Sequence, residues 1–116
     1  MNKKENGELM RKADEVLRRK DTILEKDETI EKTYNGQVSA LGVSILMIGL
    51  KPTIAVYYQD KDKRRKLLDV IAKMLDKKNA EELTQEIVQD PDDRLKTSIL
   101  NCSVALKQVI RTYELG

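Results

Sequence analysis

The fold of this 116-residue chain is decided by the stretch from Tyr34 to Leu50, YNGQVSALGVSILMIGL. The stretch carries no charged residue, and its large aliphatic side chains alternate with Gly, Ser and Ala. Small residues at such intervals allow neighbouring helices to approach closely, and aliphatic side chains all round are typical of a helix buried on several sides. We therefore predict an apolar central helix, and we expect Gly49 to end it.

The segment before this stretch predicts a long first helix. No Gly or Pro occurs between Glu8 and Asn35, and apolar residues recur there at heptad spacing, which places them on one helix face. Two rows carry the repeat: Leu9, Val16, Ile23 and Ile30, and beside them Met10, Leu17 and Leu24. Because Lys20 and Asp27 interrupt the apolar seam, we expect this helix to pack on its own domain rather than form a dimeric coiled coil.

Four further helices are predicted after the central one, which gives about six in all. Short sequence signals mark their beginnings and their buried faces. The signals are Pro52 in the first turn of a helix that runs to Gln59, an apolar stripe from Leu67 to Leu75, a capping box formed by Asn79 and Glu82, and Asp90-Pro91 at the start of the last helix.

The composition favours an all-α fold and excludes several kinds of chemistry. Only five Gly and two Pro are present and charged residues make up 36%, so we predict a compact single-domain helical bundle over residues 1–116. The absence of His removes Ser-His-Asp catalysis and imidazole metal ligands. The single cysteine, Cys102, lies on an apolar helical stripe and is predicted to be a small buried side chain. We therefore expect a protein that is not an enzyme, with no catalytic residue, no metal and no cofactor.

We also expect a cytoplasmic protein with no membrane contact. Residues 1–19 are charged throughout and contain no apolar signal region. The longest apolar stretch, Val38 to Leu50, is shorter than the ~20 residues that a membrane-spanning helix needs.

The net charge of +2 conceals an uneven distribution of charge along the chain. Residues 61–78 hold eight basic and three acidic side chains, a net charge of +5, whereas residues 79–93 hold six acidic and no basic ones, a net charge of −6. Several cations on one face would suit the phosphates of a nucleic acid, but a run of charge is also common on a solvated helix face. We expect the acidic segment 79–93 to face solvent or a basic partner rather than bind a metal ion.

Within residues 34–75 the sequence follows a recognisable pattern. A Tyr opens the central helix, a small-residue apolar run and a Gly-Leu pair follow, and then come a short helix with Ala and aromatic residues and a basic segment that turns apolar. In this chain these features are Tyr34, Gly42, Gly49-Leu50, Pro52, Ala55, Tyr57 and Arg64-Arg65-Lys66-Leu67-Leu68. The pattern resembles the small all-helical subunit of the Cmr complex, the type III-B CRISPR effector.

The resemblance implies a non-catalytic subunit of an RNA-guided, RNA-targeting CRISPR ribonucleoprotein. In that family several copies stack as a minor filament and contribute basic side chains toward target RNA, while other subunits cleave it. The implied partners are other Cmr subunits, copies of the chain itself, and crRNA with target RNA; no small-molecule substrate is implied. The opposite charges of segments 61–78 and 79–93 would suit head-to-tail contact between copies.

Candidate RNA-facing cations come from three parts of the sequence. They are Arg18, Arg19, Lys51, Lys61, Lys63, Arg64 and Arg65. Lys51 is included because it is the only charged residue between Tyr34 and Gln59, and its ammonium group has to reach solvent or a partner. Of Tyr57 and Tyr58, at most one is available to stack on a base, because one of two adjacent helical residues faces inward.

Two other functions fit parts of the sequence. A helical protein–protein adaptor or homodimer, unrelated to nucleic acid, would associate through the apolar stripe of the first helix. A helix-turn-helix regulator would need residues 53–59 as its recognition helix, where only Gln59 could read a base. We therefore rank the regulator last.

Overall fold

Six α-helices and one short pair of parallel strands form the chain in a computed structural model that describes residues 1–116. The helices and strands are α1 Lys3–Leu17, β1 Thr29–Ile30, α2 Lys32–Ile48, α3 Leu50–Gln59, α4 Arg64–Met74, α5 Ala80–Gln89, α6 Leu95–Ile110 and β2 Glu114–Leu115. They surround one core of 27 buried apolar residues. The predicted all-α bundle of about six helices is therefore confirmed. No helix is long and apolar enough to cross a bilayer.

Helix α6 packs against three other helices of the bundle. It packs against α1 and α2 along its length and also contacts α4. Seven of its residues are buried, including Cys102, Ala105 and Leu106, whose side chains are fully covered. The prediction that Cys102 is a small buried side chain is confirmed.

Helix α2 has the predicted position in the chain but not the predicted burial. Its buried residues Tyr34, Val38, Leu41 and Ile45 lie on one face, which packs against α6, α3 and α4. Its other face stays exposed, although that face is also aliphatic. The prediction of burial on several sides is therefore wrong, because no further element of the chain lies on that side.

The prediction of a long first helix is also wrong, since α1 ends at Leu17. The Thr22 hydroxyl donates to the Leu17 carbonyl over 2.6 Å, and Asp21 adopts a left-handed backbone with φ 59°. A continuous helix would carry Ile30 about 20 Å beyond Leu17 and away from the core. The chain turns back instead, so Ile23 and Ile30 are buried without being helical.

This burial removes the surface that the dimer hypothesis requires. Val16, Leu17, Ile23 and Ile30 are each at most 2% exposed, and Leu9, Met10 and Leu24 pack against the same core. The apolar stripe of the first segment therefore cannot be the contact of a homodimer or adaptor.

Gly49 separates α2 from α3, as predicted. It has φ 98° and ψ 162°, a conformation that is almost confined to glycine, and its N–H donates to the Ile45 carbonyl over 3.0 Å. Pro52 lies in the first turn of α3, where its missing N–H leaves no helical bond unmade. Farther along α3, the Tyr57 hydroxyl donates to the Gln37 carbonyl over 2.6 Å and holds α3 against α2.

The two predicted helix starts in the second half of the chain have different outcomes. The start of α5 at Asn79 is confirmed, because Asn79 Oδ1 accepts from the Glu82 N–H over 2.9 Å, but the Glu82 carboxylate accepts from the Lys78 N–H over 2.6 Å rather than from that of Asn79 as a capping box requires. The start of α6 at Asp90-Pro91 is wrong, since the helix begins at Leu95 after a turn in which Asp93 has φ 48°. Asp90 still organises this turn, because its carboxylate accepts from the N–H groups of Asp92 and Leu95.

Two glycine substitutions should test this account of α2. Gly36→Ala should raise the free energy of unfolding by about 0.5–1 kcal/mol, because a methyl group there meets no atom within 4 Å and alanine favours a helix. Gly49→Ala should lower it by about 1–3 kcal/mol, because alanine is strained at that backbone conformation. Urea unfolding followed by circular dichroism measures both, and a Gly49→Ala variant as stable as the wild type would contradict the assignment.

Candidate nucleic-acid interface

The basic segment begins with a turn that Asp60 holds in place. The Asp60 carboxylate accepts from the backbone N–H groups of Asp62 over 3.1 Å and Arg64 over 3.4 Å. The Asp60 carbonyl accepts from the Arg65 N–H over 2.9 Å. This network fixes where α4 begins and therefore how its first cations are directed.

Three cations of the basic segment line one groove on the surface. Lys61, Arg65 and Lys66 surround it together with the ring of Tyr58. Arg65 Nε donates to the Tyr58 carbonyl over 2.5 Å, and its guanidinium lies 3.9 Å from the centre of the Tyr58 ring. This cation–π contact fixes Arg65 and leaves its terminal nitrogens to donate to an anion. We call this site the Tyr58 groove.

The groove also contains acidic and amide side chains that sequence reasoning did not assign to it. The remaining lining residues are Asp21, Asp69, Asn79, Ala80 and Glu81. Asp69 is engaged within the fold, because its carboxylate accepts from the Ala80 N–H over 2.9 Å and pairs with Lys73 Nζ over 2.9 Å. The i,i+4 spacing of Asp69 and Lys73 could indicate their pair, but nothing in the sequence indicates that Asp21 approaches from the turn after α1.

The other two cations of the block are directed away from the groove. Lys63 Nζ lies 2.5 Å from Glu31 Oε2, and this hydrogen bond raises the pKa of Lys63. Arg64 pairs with Asp60 over 3.4 Å and lies 5.7 Å from the centre of the Tyr57 ring. Tyr57 itself is buried, so the prediction that at most one tyrosine of the pair is available is confirmed. The structure therefore divides the predicted block into a groove-lining set and an internally paired set.

The two arginines at the end of α1 are engaged with carboxylates as well. Arg18 pairs with Asp14 over 3.1 Å and Glu28 over 3.4 Å, and Arg19 pairs with Glu15 over 2.8 Å. These pairs are exposed and individually weak, so a phosphate group could compete for the arginines. Neither arginine lines the Tyr58 groove, although Asp21 of the following turn does.

Lys51 stands apart from the other candidates. It is exposed in the first turn of α3, whereas Tyr58 lies near the end of the same helix. The structure therefore brings together Lys61 and Arg65 of the seven candidates, adds Lys66 to them, and separates the rest.

The acidic segment lies beside the basic segment rather than opposite it. Helices α4 and α5 pack against each other, and Lys77 Nζ pairs with Glu86 Oε2 over 2.7 Å. Part of the charge of each segment is thus neutralised within one molecule. No group of three or more acidic or cysteine side chains is arranged to hold a metal ion.

Comparison with known proteins identifies the family. The model of the CRISPR-associated protein family Cas_Cmr5 matches residues 5–111. The chain belongs to this family. This confirms the resemblance found within residues 34–75, that of a small Cmr-type CRISPR subunit.

The fold agrees with that of a solved structure of the Cmr5 family. The chain is similar to a CRISPR-associated Cmr5 family protein from Thermus thermophilus, whose X-ray crystal structure matches with a TM-score of 0.72 and 15% sequence identity. The match covers 98% of this chain and 99% of that one. No curated protein matches the sequence.

One contact near Arg18 joins the last residues of the chain to α1. The Tyr113 hydroxyl donates to the Asp14 carboxylate, and this hydrogen bond is the largest single cause of the lowered pKa of Asp14, with Arg18 contributing as well. Burial, and then this hydrogen bond, raise the pKa of Tyr113 to about 12.

Removing this hydroxyl should change how stability depends on pH. Tyr113→Phe should move the pKa of Asp14 toward its ordinary value of 3.8 and cost about 1 kcal/mol at pH 7. The ionised Asp14 stabilises the fold above its ordinary pKa, and this contribution is lost as pH falls through the lowered pKa, so the deficit should vanish in acid. Carboxyl NMR titration and urea unfolding measure both effects. Tyr58→Phe is the control, and an unchanged Asp14 pKa in Tyr113→Phe would contradict the assignment.

Proposed function

We propose that this chain is the non-catalytic small subunit of an RNA-guided, RNA-targeting CRISPR ribonucleoprotein of the type III-B, or Cmr, class. The observation that carries this proposal is the family match over residues 5–111. Its partners are the other Cmr subunits and copies of itself, which stack as a minor filament beside crRNA and its target. The acidic residues exposed on α5, among them Glu81 and Glu82, are one surface suited to a basic neighbour.

The Tyr58 groove is the part of the surface that we assign to target RNA. Lys61 and Lys66 are exposed there without an ion pair, and Arg65 presents a fixed guanidinium between them. Cations that are free of carboxylate partners bind phosphate without first breaking a salt bridge. The acidic residues around the groove would limit the affinity for RNA of a single copy, so we expect useful affinity only from several copies on one strand.

A subunit without catalysis agrees with the chemistry of the chain. No His is present, and burial raises the pKa of the Cys102 thiol to about 12, which keeps it protonated at neutral pH. Metal-dependent RNA cleavage by the purified chain, lost on substitution of a carboxylate, would contradict this part of the proposal.

Charge reversal in the groove should weaken RNA binding. We expect Lys61→Glu/Lys66→Glu to lower the affinity for single-stranded RNA at least tenfold in low salt. Loss of two phosphate contacts should also reduce the magnitude of the log–log salt slope by about 1.4. Fluorescence anisotropy of a labelled RNA, measured at several salt concentrations with the assembled complex, gives both quantities.

Lys3→Glu/Lys4→Glu is the matched control, because these lysines are also exposed and unpaired and the net charge changes equally. The control should bind RNA nearly as well as the wild type. An equal loss in both double variants would show that only overall charge matters and would contradict the assignment of the groove.

A further inference from the structure

The exposed face of α2 forms an apolar surface with part of α6. Val43, Leu46, Met47 and Ile48 are 56%, 69%, 78% and 57% exposed, and Val104 of α6 is 47% exposed. A groove between the two helices is lined by Val43 and Leu46 on one side and by Leu100 and Val104 on the other. We call this surface the α2–α6 face. Apolar patches of this kind on a soluble protein mark interaction sites more often than isolated exposed residues do.

The helices that form this face, and α3 beside them, carry charges of one sign. The sequence has no carboxylate from Lys32 to Gln59 or from Arg94 to Tyr113, and these two segments contain all of α2, α3 and α6. Lys107 lines the groove, and Lys51 follows shortly after Ile48. Neither lysine is paired with a carboxylate. The face is therefore apolar at its centre, and the charged residue that lines its groove, Lys107, is an unpaired cation.

A second copy of the chain is poorly matched to this face. Two copies meeting symmetrically through it would bring cations against cations, which disfavours the contact. The acidic surface of α5 has the right charge, but Val88 is its only large exposed apolar side chain. A single valine does not match the groove and the patch beside it.

We propose that the α2–α6 face binds an amphipathic helix of a different protein, apolar on one side and flanked by Asp and Glu. A helix fits the groove between two neighbouring helices by placing its apolar stripe there. Carboxylates beside that stripe would meet Lys107 and Lys51, which lack partners in the chain. The inference rests on the proposed function, because it takes the partner to be another subunit of the same ribonucleoprotein.

Substitution on the face tests the inference through assembly. Leu46→Glu/Met47→Glu places two carboxylates on the exposed side of α2, where both side chains are mostly in water and folding should be preserved. We expect its incorporation into the complex, purified through a tag on another subunit, to fall at least tenfold. Val56→Glu, which introduces a carboxylate at an exposed apolar position on α3 outside the groove, should be incorporated like the wild type. Lys107→Glu should reduce incorporation more than Lys107→Gln, because only the former repels the acidic helix.

The outcomes separate this inference from the proposed function. If the wild-type chain is incorporated and Leu46→Glu/Met47→Glu is incorporated equally well, the inference is wrong and the proposed function stands. If the wild-type chain does not purify with the complex at all, both are overturned.

A photo-crosslinking residue at position 47 of the chain in the assembled complex identifies the occupant. Crosslinking to a helix of another subunit with apolar and acidic residues would support the inference. Crosslinking to a second copy, to RNA or to nothing would overturn it.

Discussion

Burial of α6 between α1 and α2 is the interaction on which the rest of the structure depends. Ile99, Leu106 and Ile110 are fully covered in this contact, and each such side chain contributes about 1.5–3 kcal/mol relative to exposure. Gly42 and Ser103 stand where α2 and α6 meet, and their small size lets the helices approach closely. Because α1 and α2 lie against α6, the chain between them has to turn back, which buries Ile23 and Ile30. α4 then packs against α1 and carries two of the groove-lining cations, Arg65 and Lys66, while Lys61 lies in the turn before it.

The parts of the fold that sequence reasoning predicted well depend on neighbouring residues. Gly49, Pro52 and the capping pair Asn79 and Glu82 act over a few positions, so their effect on the backbone is visible in the sequence itself. The end of α1 could not be predicted in this way. Apolar residues at heptad spacing indicate which side chains are buried, but they do not require a continuous helix. Ile23 is buried although it lies in the turn after α1. The predicted burial of the outer face of α2 was wrong for a related reason. An aliphatic side chain indicates that a surface is apolar, but not whether the residues that cover it belong to the same chain.

In the candidate site as well, contacts between residues far apart in the chain could not be predicted from the sequence. Lys61 and Arg65 belong to a basic block that the sequence displays, and the structure places them in one groove. Lys63 was indistinguishable from them in sequence, yet it pairs with Glu31, 32 positions away. Pairing between distant residues thus decides which cations of the block remain available to a ligand. Carboxylates are distributed unevenly as well, since α1, α4 and α5 carry them while α2, α3 and α6 have none.

The single-residue join between α2 and α3 has a mechanical consequence. Gly49 is the only residue between the two helices. The hydrogen bond from the Tyr57 hydroxyl to the Gln37 carbonyl joins α3 to α2 at a second point. We therefore expect α2 and α3 to keep a fixed orientation relative to each other. Because no loop separates the helices, we expect a displacement of the end of α2 to move α3 as well, and with it Tyr58, whose ring contacts Arg65.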